Sequence, residues 1–288
     1  MAGRAPPPIA ICNFDFRGSG TVAKSIEIAI ALRQRGLPAE LWCVVPKGPL
    51  RNRVPPDVPV RGLIGGGFLP RREMMKASIP LLALAIARRK PALILSGGNH
   101  MHNGLRRALK LSGRRALTRF GVRASNSSAR PGAPPPDADR LKKYRWADFA
   151  VAVTPELVDD IRASGSKAEI HVIPNGVDMD RIDRMIAEAG ALESLPGPHI
   201  VTMGRITHQK GFDILVEAMA LLDRKDARLS IIGGGSAEEV AALRKRVAVL
   251  GLSDRVALTG FMANPFGLMA SADLFVSSSR WEGASNVL

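Results

Sequence analysis

Cysteine is scarce in this 288-residue chain, and long apolar runs are missing. The two cysteines, Cys12 and Cys43, are too few for a disulfide framework, and both lie in short apolar stretches, so we expect buried free thiols in a reducing compartment. The longest apolar stretch, residues 79–87, includes Pro80, whereas a membrane-spanning helix needs about 20 apolar residues. The sequence therefore predicts a cytoplasmic protein, or one attached peripherally to the inner face of the cell membrane.

Acidic residues are scarce in the first half of the chain. Residues 1–150 contain 27 Lys and Arg against 8 Asp and Glu, whereas residues 151–288 contain 14 against 18. The excess is densest over residues 51–130, with 17 basic and 2 acidic residues. This charge fits a solvated basic surface, an anionic membrane or lipid-linked acceptor, or nucleic acid. Because Phe68 and Phe120 are the only aromatic residues there, nucleic acid is the weakest of the three.

Short apolar runs alternate with stretches of helical periodicity, which is typical of a parallel α/β sheet. The first strand is predicted over Ile9–Asn13 and the first helix over residues 21–35. Further strands are predicted over residues 41–45, 92–96, 122–126, 149–153, 169–173, 200–203, 229–232, 256–258 and 274–277. Further helices are predicted over residues 74–89 with an interruption at Pro80, 104–111, 155–163, 181–191, 212–222, 237–250 and 265–270. We predict two doubly wound domains, residues 1–192 and 193–288, the second incomplete.

Ligands of such sheets bind at the carboxyl ends of the strands, so the residues after each strand are the candidates. The loop 204–211 carries Arg205 and Lys210 beside a predicted helix start, which suits a diphosphate but is also typical of a solvated basic loop. Gly233 and Gly234 allow either close approach of a ligand or a tight turn.

The last strand is followed by Glu282 and by the small or polar residues Gly283, Ala284, Ser285 and Asn286. A carboxylate at a helix start could receive a sugar with its phosphate. It could equally complement the helix dipole.

His100 and His102 follow a strand of the first domain. Their spacing, with no carboxylate or cysteine nearby, does not predict a metal site. Either ring could contact an anion or exchange a proton, and we prefer His100 because it is closer to the strand end. Pro174, Asn175 and Gly176 have turn chemistry and predict a bend between the domains.

Five motifs occur in order at suitable spacings. They are Ile-Pro-Asn-Gly-Val-Asp (173–178), Gly-Arg-x4-Lys-Gly (204–211), Ile-Ile-Gly-Gly-Gly (231–235), Leu-Thr-Gly (258–260) and Glu-Gly-x2-Asn-Val-Leu (282–288). Together they resemble the retaining glycosyltransferases of family 4, which have the GT-B fold. The resemblance is strong from residue 170 onward and weaker before it.

The resemblance implies two Rossmann-like domains that face a cleft, with a UDP- or GDP-linked sugar as co-substrate and no cofactor or metal required. Arg205 and Lys210 would clamp the donor diphosphate, and Glu282 would contact the donor sugar. His100 would lie near the transferred sugar, with His102 in competition for that role. Further loop contacts to donor sugar and phosphate would come from Gly18, Gly20, Gly233, Gly234, Gly283, Ala284, Ser285 and Asn286.

The function implied is that of a hexosyltransferase acting on a glycan or lipid-linked acceptor in cell-surface polysaccharide or lipopolysaccharide synthesis. In one respect the chain departs from the family. The family has a second Glu eight positions after the first, which would be position 290. We therefore expect a truncated chain with low activity, and the alternative is a non-catalytic module that binds nucleotide sugars.

Overall fold

The computed structural model describes residues 6–66, 70–98, 100–125, 141–190 and 197–282. The chain divides into two compact units, Met1–Asn175 (unit 1) and Gly176–Leu288 (unit 2). Each unit is built on a parallel sheet, which matches the α/β class that the alternation of strands and helices predicts.

The division between the units falls earlier than the predicted boundary at 192/193. The intervening helix Met179–Ala189 packs against the helix Phe266–Ala270, which is also part of unit 2. Asn264 Nδ2 donates a hydrogen bond to the Met185 carbonyl at 2.6 Å. Tertiary packing of this kind is not visible in local sequence.

Unit 1 contains a seven-stranded sheet with the order β3-β2-β1-β4-β5-β6-β7, in which every neighbouring pair is parallel. Its strands are β1 (Ile9–Asn13), β2 (Ala39–Cys43), β3 (Val60–Gly62), β4 (Leu93–Ser96), β5 (Arg119–Ala124), β6 (Phe149–Ala152) and β7 (Glu169–Val172). The order reverses between β1 and β4, and such a switch point is where open α/β sheets bind ligands. The sequence does not predict β3, because it has only three residues and a single large apolar side chain.

Five α-helices lie wholly within the described residues of unit 1. They are α1 (Gly20–Gln34), α2 (Arg71–Ala77), α3 (Ile79–Arg89), α4 (His102–Leu111) and α5 (Glu156–Ala163). Ser19 caps α1 by accepting a hydrogen bond from the Val22 N–H, and Gly36 follows the helix with a φ of 76°. The interruption predicted at Pro80 is confirmed. This proline is the second residue of α3, where its missing N–H breaks no helical bond.

One core of unit 1 lies between the sheet and α1. Ile11, Leu41 and Leu95 from three neighbouring strands pack with Val22 and Ile26 of the helix, and all five are at most 8% exposed. Burying side chains of this size stabilises the fold by about 1.5–3 kcal/mol each. The apolar run at each strand is therefore what fixes α1 over the switch point.

Unit 2 contains a four-stranded parallel sheet with the order β10-β9-β8-β11. Its strands are β8 (His199–Met203), β9 (Arg228–Ile232), β10 (Val256–Gly260) and β11 (Leu274–Phe275), and its helices are α6 (Met179–Ala189), α7 (Phe212–Leu221), α8 (Ala237–Val249) and α9 (Phe266–Ala270). A capping box of Ser236 and Glu239 starts α8. The core joins Leu229 and Ile231 of β9 to Val216 of α7 and Leu243 of α8. The predicted alternation is confirmed.

Candidate functional site

Loops that follow three parallel strands of unit 2 meet at one edge of its sheet. Because β8 lies between β9 and β11, the loops that begin at Gly204, Gly233 and Val276 are neighbours. The Gly204 N–H donates to the Ile232 carbonyl at 2.9 Å, which holds the first two loops together. This carboxyl edge is where a sheet of this kind binds its ligand.

Gly233 and Gly234, both predicted to lie near a donor, have different surroundings. Gly233 has a φ of 139°, and a Cβ at this position would lie 1.9 Å from the carbonyl oxygen of Gly204. Packing of the two loops therefore requires glycine here. A Cβ on Gly234 would meet nothing within 4 Å, so the open space of this loop lies beside Gly234.

The fold brings Lys210 and Glu282 together, although 72 positions separate them in the sequence. Lys210 ends a 3-10 turn after β8, and Glu282 lies in the segment after β11. Lys210 Nζ forms an ion pair with Glu282 Oε1, and Ser279 Oγ donates to the same oxygen at 2.6 Å. The two ionic side chains are only 18% and 23% exposed, so partial exclusion of water strengthens their attraction.

Gly211 sets the position of the lysine. It has a φ of 62°, and a Cβ here would lie 2.1 Å from the Ser278 carbonyl oxygen. Ser278 Oγ in turn donates to the Lys210 carbonyl at 2.9 Å. Glycine at this position therefore lets the segment after β11 lie directly against the turn that carries Lys210.

Arg205 lies on the same loop as Lys210 but points into solvent. It is exposed, and its guanidinium has no hydrogen-bond or ion-pair partner among the described residues. Glu282 balances the charge of Lys210, whereas the charge of Arg205 stays unbalanced. A guanidinium with free donors can take two phosphate oxygens at once, so this edge can bind an anion.

Sequence reasoning missed two residues of this site, Ser279 and Arg280. The Arg280 guanidinium forms an ion pair with Asp213 at 2.7 Å and donates to the His208 carbonyl at 2.9 Å. The available signal was position, because Arg280 lies two residues before Glu282. Four predicted loop residues lie outside the described residues: Gly283, Ala284, Ser285 and Asn286.

Gly18 and Gly20 of unit 1 flank the start of α1 beside the switch point of the larger sheet. Gly20 is the first residue of the helix, directly after the capping Ser19. In the same loop, Asp15 pairs with Arg17 at 2.7 Å. Backbone N–H groups at a helix start attract anions, and contact of the two glycines with a ligand stays a prediction.

The two candidate histidines of unit 1 lie in different environments. His102 is completely buried, with Nδ1 2.6 Å from Ser96 Oγ and its ring 5.8 Å from that of Tyr144. Burial, helped by the positive charge of Lys143, lowers the pKa of His102 to about 3, so this imidazole is neutral. His100 is exposed just beyond the end of β4. Of the two, His100 is the one that a ligand can reach, and its role stays a prediction.

Two kinds of feature are absent from the parts of the chain that the structure describes. No three His, Cys, Asp or Glu side chains come together in a way that could hold a metal ion. No helix in those parts is both long and apolar enough to cross a bilayer. The predicted buried, free state of Cys12 and Cys43 is confirmed, and burial raises the pKa of both thiols.

Two family models match the chain. Residues 18–181 match the model described as Glycosyltransferase Family 4, and residues 197–288 match the model described as Glycosyl transferases group 1. The first match alone spans more than half of the chain, and it includes the region where the sequence resemblance is weakest.

Curated relatives match over part of their length. Mannosylfructose-phosphate synthase of Agrobacterium fabrum is 34% identical over 158 residues, which cover 48% of this chain and 34% of the relative. The lipopolysaccharide core biosynthesis glycosyltransferase LpsE of Rhizobium meliloti is 34% identical over 152 residues, which cover 52% of this chain and 42% of the relative. The chain thus spans less than half the length of these relatives.

Solved structures match over almost the whole chain. Anabaena HepE in complex with UDP and glucose superimposes with a TM-score of 0.76 at 18% identity, covering 98% of this chain and 77% of HepE. Sucrose-phosphate synthase of Thermosynechococcus elongatus superimposes with a TM-score of 0.76 at 19% identity, covering 98% of this chain and 78% of the synthase. These likenesses confirm the predicted α/β GT-B-like fold class.

Proposed function

The chain belongs to glycosyltransferase family 4, and on that premise we propose that it transfers a sugar from a UDP- or GDP-linked donor to a glycan or lipid-linked acceptor, with retention of the anomeric configuration. The observation that carries the proposal is the Lys210–Glu282 pair, whose lysine lies on the same loop as the exposed Arg205. Two cations suit a diphosphate, and a carboxylate suits the hydroxyl groups of a sugar.

The proposed transfer needs charge stabilisation at the leaving group. The bond between the anomeric carbon and the diphosphate oxygen breaks, and the oxygen keeps the electron pair. An acceptor hydroxyl forms the new bond to carbon and passes its proton to the departing diphosphate oxygen. Lys210 and Arg205 would stabilise the negative charge that develops on the diphosphate, while Glu282 would orient the sugar.

The names of the relatives support both a nucleotide-linked donor and a role in cell-surface polysaccharide synthesis. HepE has been solved with UDP and glucose and with UDP-glucose, which favours a nucleotide-linked donor. LpsE and LpsD of Rhizobium meliloti are named as lipopolysaccharide core biosynthesis glycosyltransferases. We therefore assign this chain to the synthesis of lipopolysaccharide or another cell-surface polysaccharide.

The basic surface of unit 1 supports a proposed contact with the anionic inner face of the cell membrane. Trp146 is 47% exposed, and the guanidinium carbons of Arg106 and Arg145 lie 5.1 and 5.7 Å from its ring centroid. Leu111, at the end of the same helix as Arg106, is 64% exposed. Cations beside exposed aromatic and aliphatic side chains are typical of surfaces that bind lipid headgroups.

Titration calorimetry with UDP and with GDP tests the donor site. We expect one of the two to bind, and Lys210→Ala to weaken that binding at least about 10-fold, since one charge-assisted contact contributes about 1.5–3 kcal/mol. The matched control is Lys225→Ala. This lysine follows α7 at the opposite edge of the sheet, where it donates to the Leu222 carbonyl.

Three outcomes of the donor experiment separate the alternatives. Failure of both nucleotides to bind, or equal binding by Lys210→Ala and the parent chain, would contradict the donor site. The third outcome is that a nucleotide binds but no UDP- or GDP-sugar releases its nucleotide in the presence of lipopolysaccharide acceptors. That outcome would identify a non-catalytic nucleotide-sugar-binding module.

Co-sedimentation with vesicles tests the membrane contact. We expect the protein to pellet with phosphatidylglycerol vesicles at low salt, to be released at about 0.5 M NaCl by screening, and to ignore phosphatidylcholine vesicles. Trp146→Ala should weaken the association. A protein that stays in the supernatant with anionic vesicles at low salt has no such surface.

A further inference from the structure

Arg280 joins the two segments that carry Lys210 and Glu282. Its backbone N–H donates to the Gln209 carbonyl at 2.8 Å, and its Nη1 donates to the His208 carbonyl at 2.9 Å. Gln209 Nε2 returns a hydrogen bond at 3.0 Å to the carbonyl of Trp281, the neighbour of Arg280. The turn after β8 and the segment after β11 are therefore held together at the residues directly beside the ionic pair.

A bidentate ion pair extends this connection to helix α7. Arg280 Nη1 and Nη2 donate to Asp213 Oδ1 and Oδ2 at 2.8 and 2.7 Å. Asp213 lies in the first turn of α7, where a carboxylate is favoured by the helix dipole. The Arg280 guanidinium, and after it the backbone N–H groups of Asp213 and Ile214, lower the pKa of this carboxyl. One guanidinium thus connects three chain segments: the 3-10 turn, the helix start and the segment after β11.

A second bidentate pair in unit 2 shows what an ordinary surface pair looks like. Arg224 donates to Asp226 at 2.9 and 2.8 Å, but the two residues are two positions apart in one turn, and their side chains are 64% and 48% exposed. Arg280 and Asp213 are 67 positions apart, and their side chains are 24% and 41% exposed. The first pair connects a turn to itself, whereas the second connects separate elements of the site.

We propose that Arg280 and Asp213 are positioning residues of the donor site, which fix the relative placement of Lys210 and Glu282 so that both reach one bound nucleoside diphosphate-sugar. This role rests on the proposed function. Lysine and glutamate have several rotatable bonds, so the direction of their side chains depends on backbone anchors. Arg280 supplies such an anchor two residues before Glu282, and its partner Asp213, in the first turn of α7, lies three residues after Lys210. A displacement of about 1 Å can cost about 100-fold in rate.

Arg280→Lys tests the proposal while it keeps a positive charge. A lysine cannot make the bidentate contact and the third bond to His208 together. We expect the Kd for UDP or GDP, whichever binds, to rise about 10-fold, with the melting temperature changed by less than about 2 °C. Arg224→Lys, which breaks the comparable surface pair, should change Kd less than twofold, because that pair connects only its own turn and touches neither Lys210 nor Glu282.

A double-mutant cycle separates positioning from general damage to the fold. If Arg280 acts through Lys210, the Arg280→Lys change should raise Kd less than about twofold in a Lys210→Ala background. A full 10-fold increase in both backgrounds would overturn the proposal. Asp213→Asn keeps the shape of the side chain and serves as the second variant, with the same expectation.

Amide hydrogen exchange gives a readout that needs no nucleotide. Arg280→Lys should speed exchange about 10-fold at the backbone N–H groups of residues 209–214 and leave β9 unchanged, because one anchor of that segment is lost. Unchanged exchange at 209–214 would overturn the positioning role. Failure of the parent chain to bind either nucleotide would instead contradict the proposed function, and the exchange experiment would still decide the role of Arg280.

Discussion

The two units place their charged side chains differently. Unit 1 has 29 Lys and Arg against 12 Asp and Glu, and it buries Glu40 and Arg123, which are 5% and 4% exposed. Unit 2 has 12 against 14, and among its described residues no Asp, Glu, Lys or Arg is buried to that extent. Its Lys210–Glu282 pair lies at the carboxyl edge, partly open to solvent. Charged side chains therefore stabilise the interior of unit 1, whereas the charged pair of unit 2 lies where a ligand can reach it.

Glu40 is a buried carboxylate that links three elements of unit 1. From the second position of β2 it accepts hydrogen bonds from Trp42 Nε1 at 2.9 Å and from Arg61 Nε at 2.7 Å, and it forms an ion pair with Arg89 at the end of α3. Burial alone would raise the pKa of this carboxyl, but its hydrogen bonds to Arg61, Trp42 and Arg89 outweigh that effect and lower it. The carboxylate thus ties together β2, β3 and α3.

The largest expected effect is on the stability of unit 2 alone. Gly233→Ala places a Cβ 1.9 Å from the Gly204 carbonyl oxygen at a φ of 139°, so the loop must shift. We expect the free energy of unfolding of unit 2 to fall by about 3 kcal/mol or more. Gly234→Ala, with nothing within 4 Å, should cost less than about 1 kcal/mol. Hydrogen exchange in each unit measures both variants, and equal losses would show that the close contact with Gly204 does not exist.

The next effect weakens unit 1 alone. Glu40→Ala leaves two guanidinium groups and the Trp42 indole N–H without their acceptor, and we expect a loss of about 2–3 kcal/mol from unit 1. Glu73→Ala removes the partner of Lys76 in an exposed pair and is the control, with a loss below about 0.5 kcal/mol. If Glu40→Ala lowers the stability of unit 1 no more than Glu73→Ala does, the buried carboxylate does not stabilise the sheet.

The stability of unit 1 should also depend on pH through the buried His102. The folded pKa of His102 is about 3, below the value of about 6.5 expected in the unfolded chain. Its contribution to stability is therefore fully present above pH 6.5 and is lost as pH falls toward 3, because only the unfolded chain takes up the proton. Unit 1 should lose about 1.4 kcal/mol between pH 7.5 and 5.5. His102→Gln should remove this pH dependence, and a slope that persists in the variant would assign it to other groups.

The smallest expected effect concerns surface pairs. Asp226→Asn breaks the exposed pair with Arg224 in unit 2, and we expect a loss of stability no larger than that of Glu73→Ala in unit 1. Thermal unfolding in low and high salt measures it. A loss as large as that of Glu40→Ala would mean that charged pairs stabilise unit 2 as strongly as unit 1, and the contrast between the units would disappear.

Much of the fold could be predicted from sequence because its signals are local. The strand Ile9–Asn13 and the interruption at Pro80 follow from an apolar run and from the missing N–H of proline. β3 could not be predicted, since its three residues carry too little pattern. Lys210 and Glu282, which carry the candidate site, were also predicted, and the resemblance implied that both contact one donor. Their direct ion pair and the contacts of Arg280 were not predicted.

The alternation of strands and helices follows from local sequence, and so does the placement of Arg205, Lys210 and Glu282 after strands, because hydrophobic periodicity and turn chemistry act over a few residues. Which of these residues meet depends on the tertiary structure. The position of β8 beside β11 brings Glu282 to Lys210, and the packing of α4 buries His102 while His100 stays exposed. Contacts between residues tens of positions apart depend on strand order and packing, which no local stretch of sequence encodes.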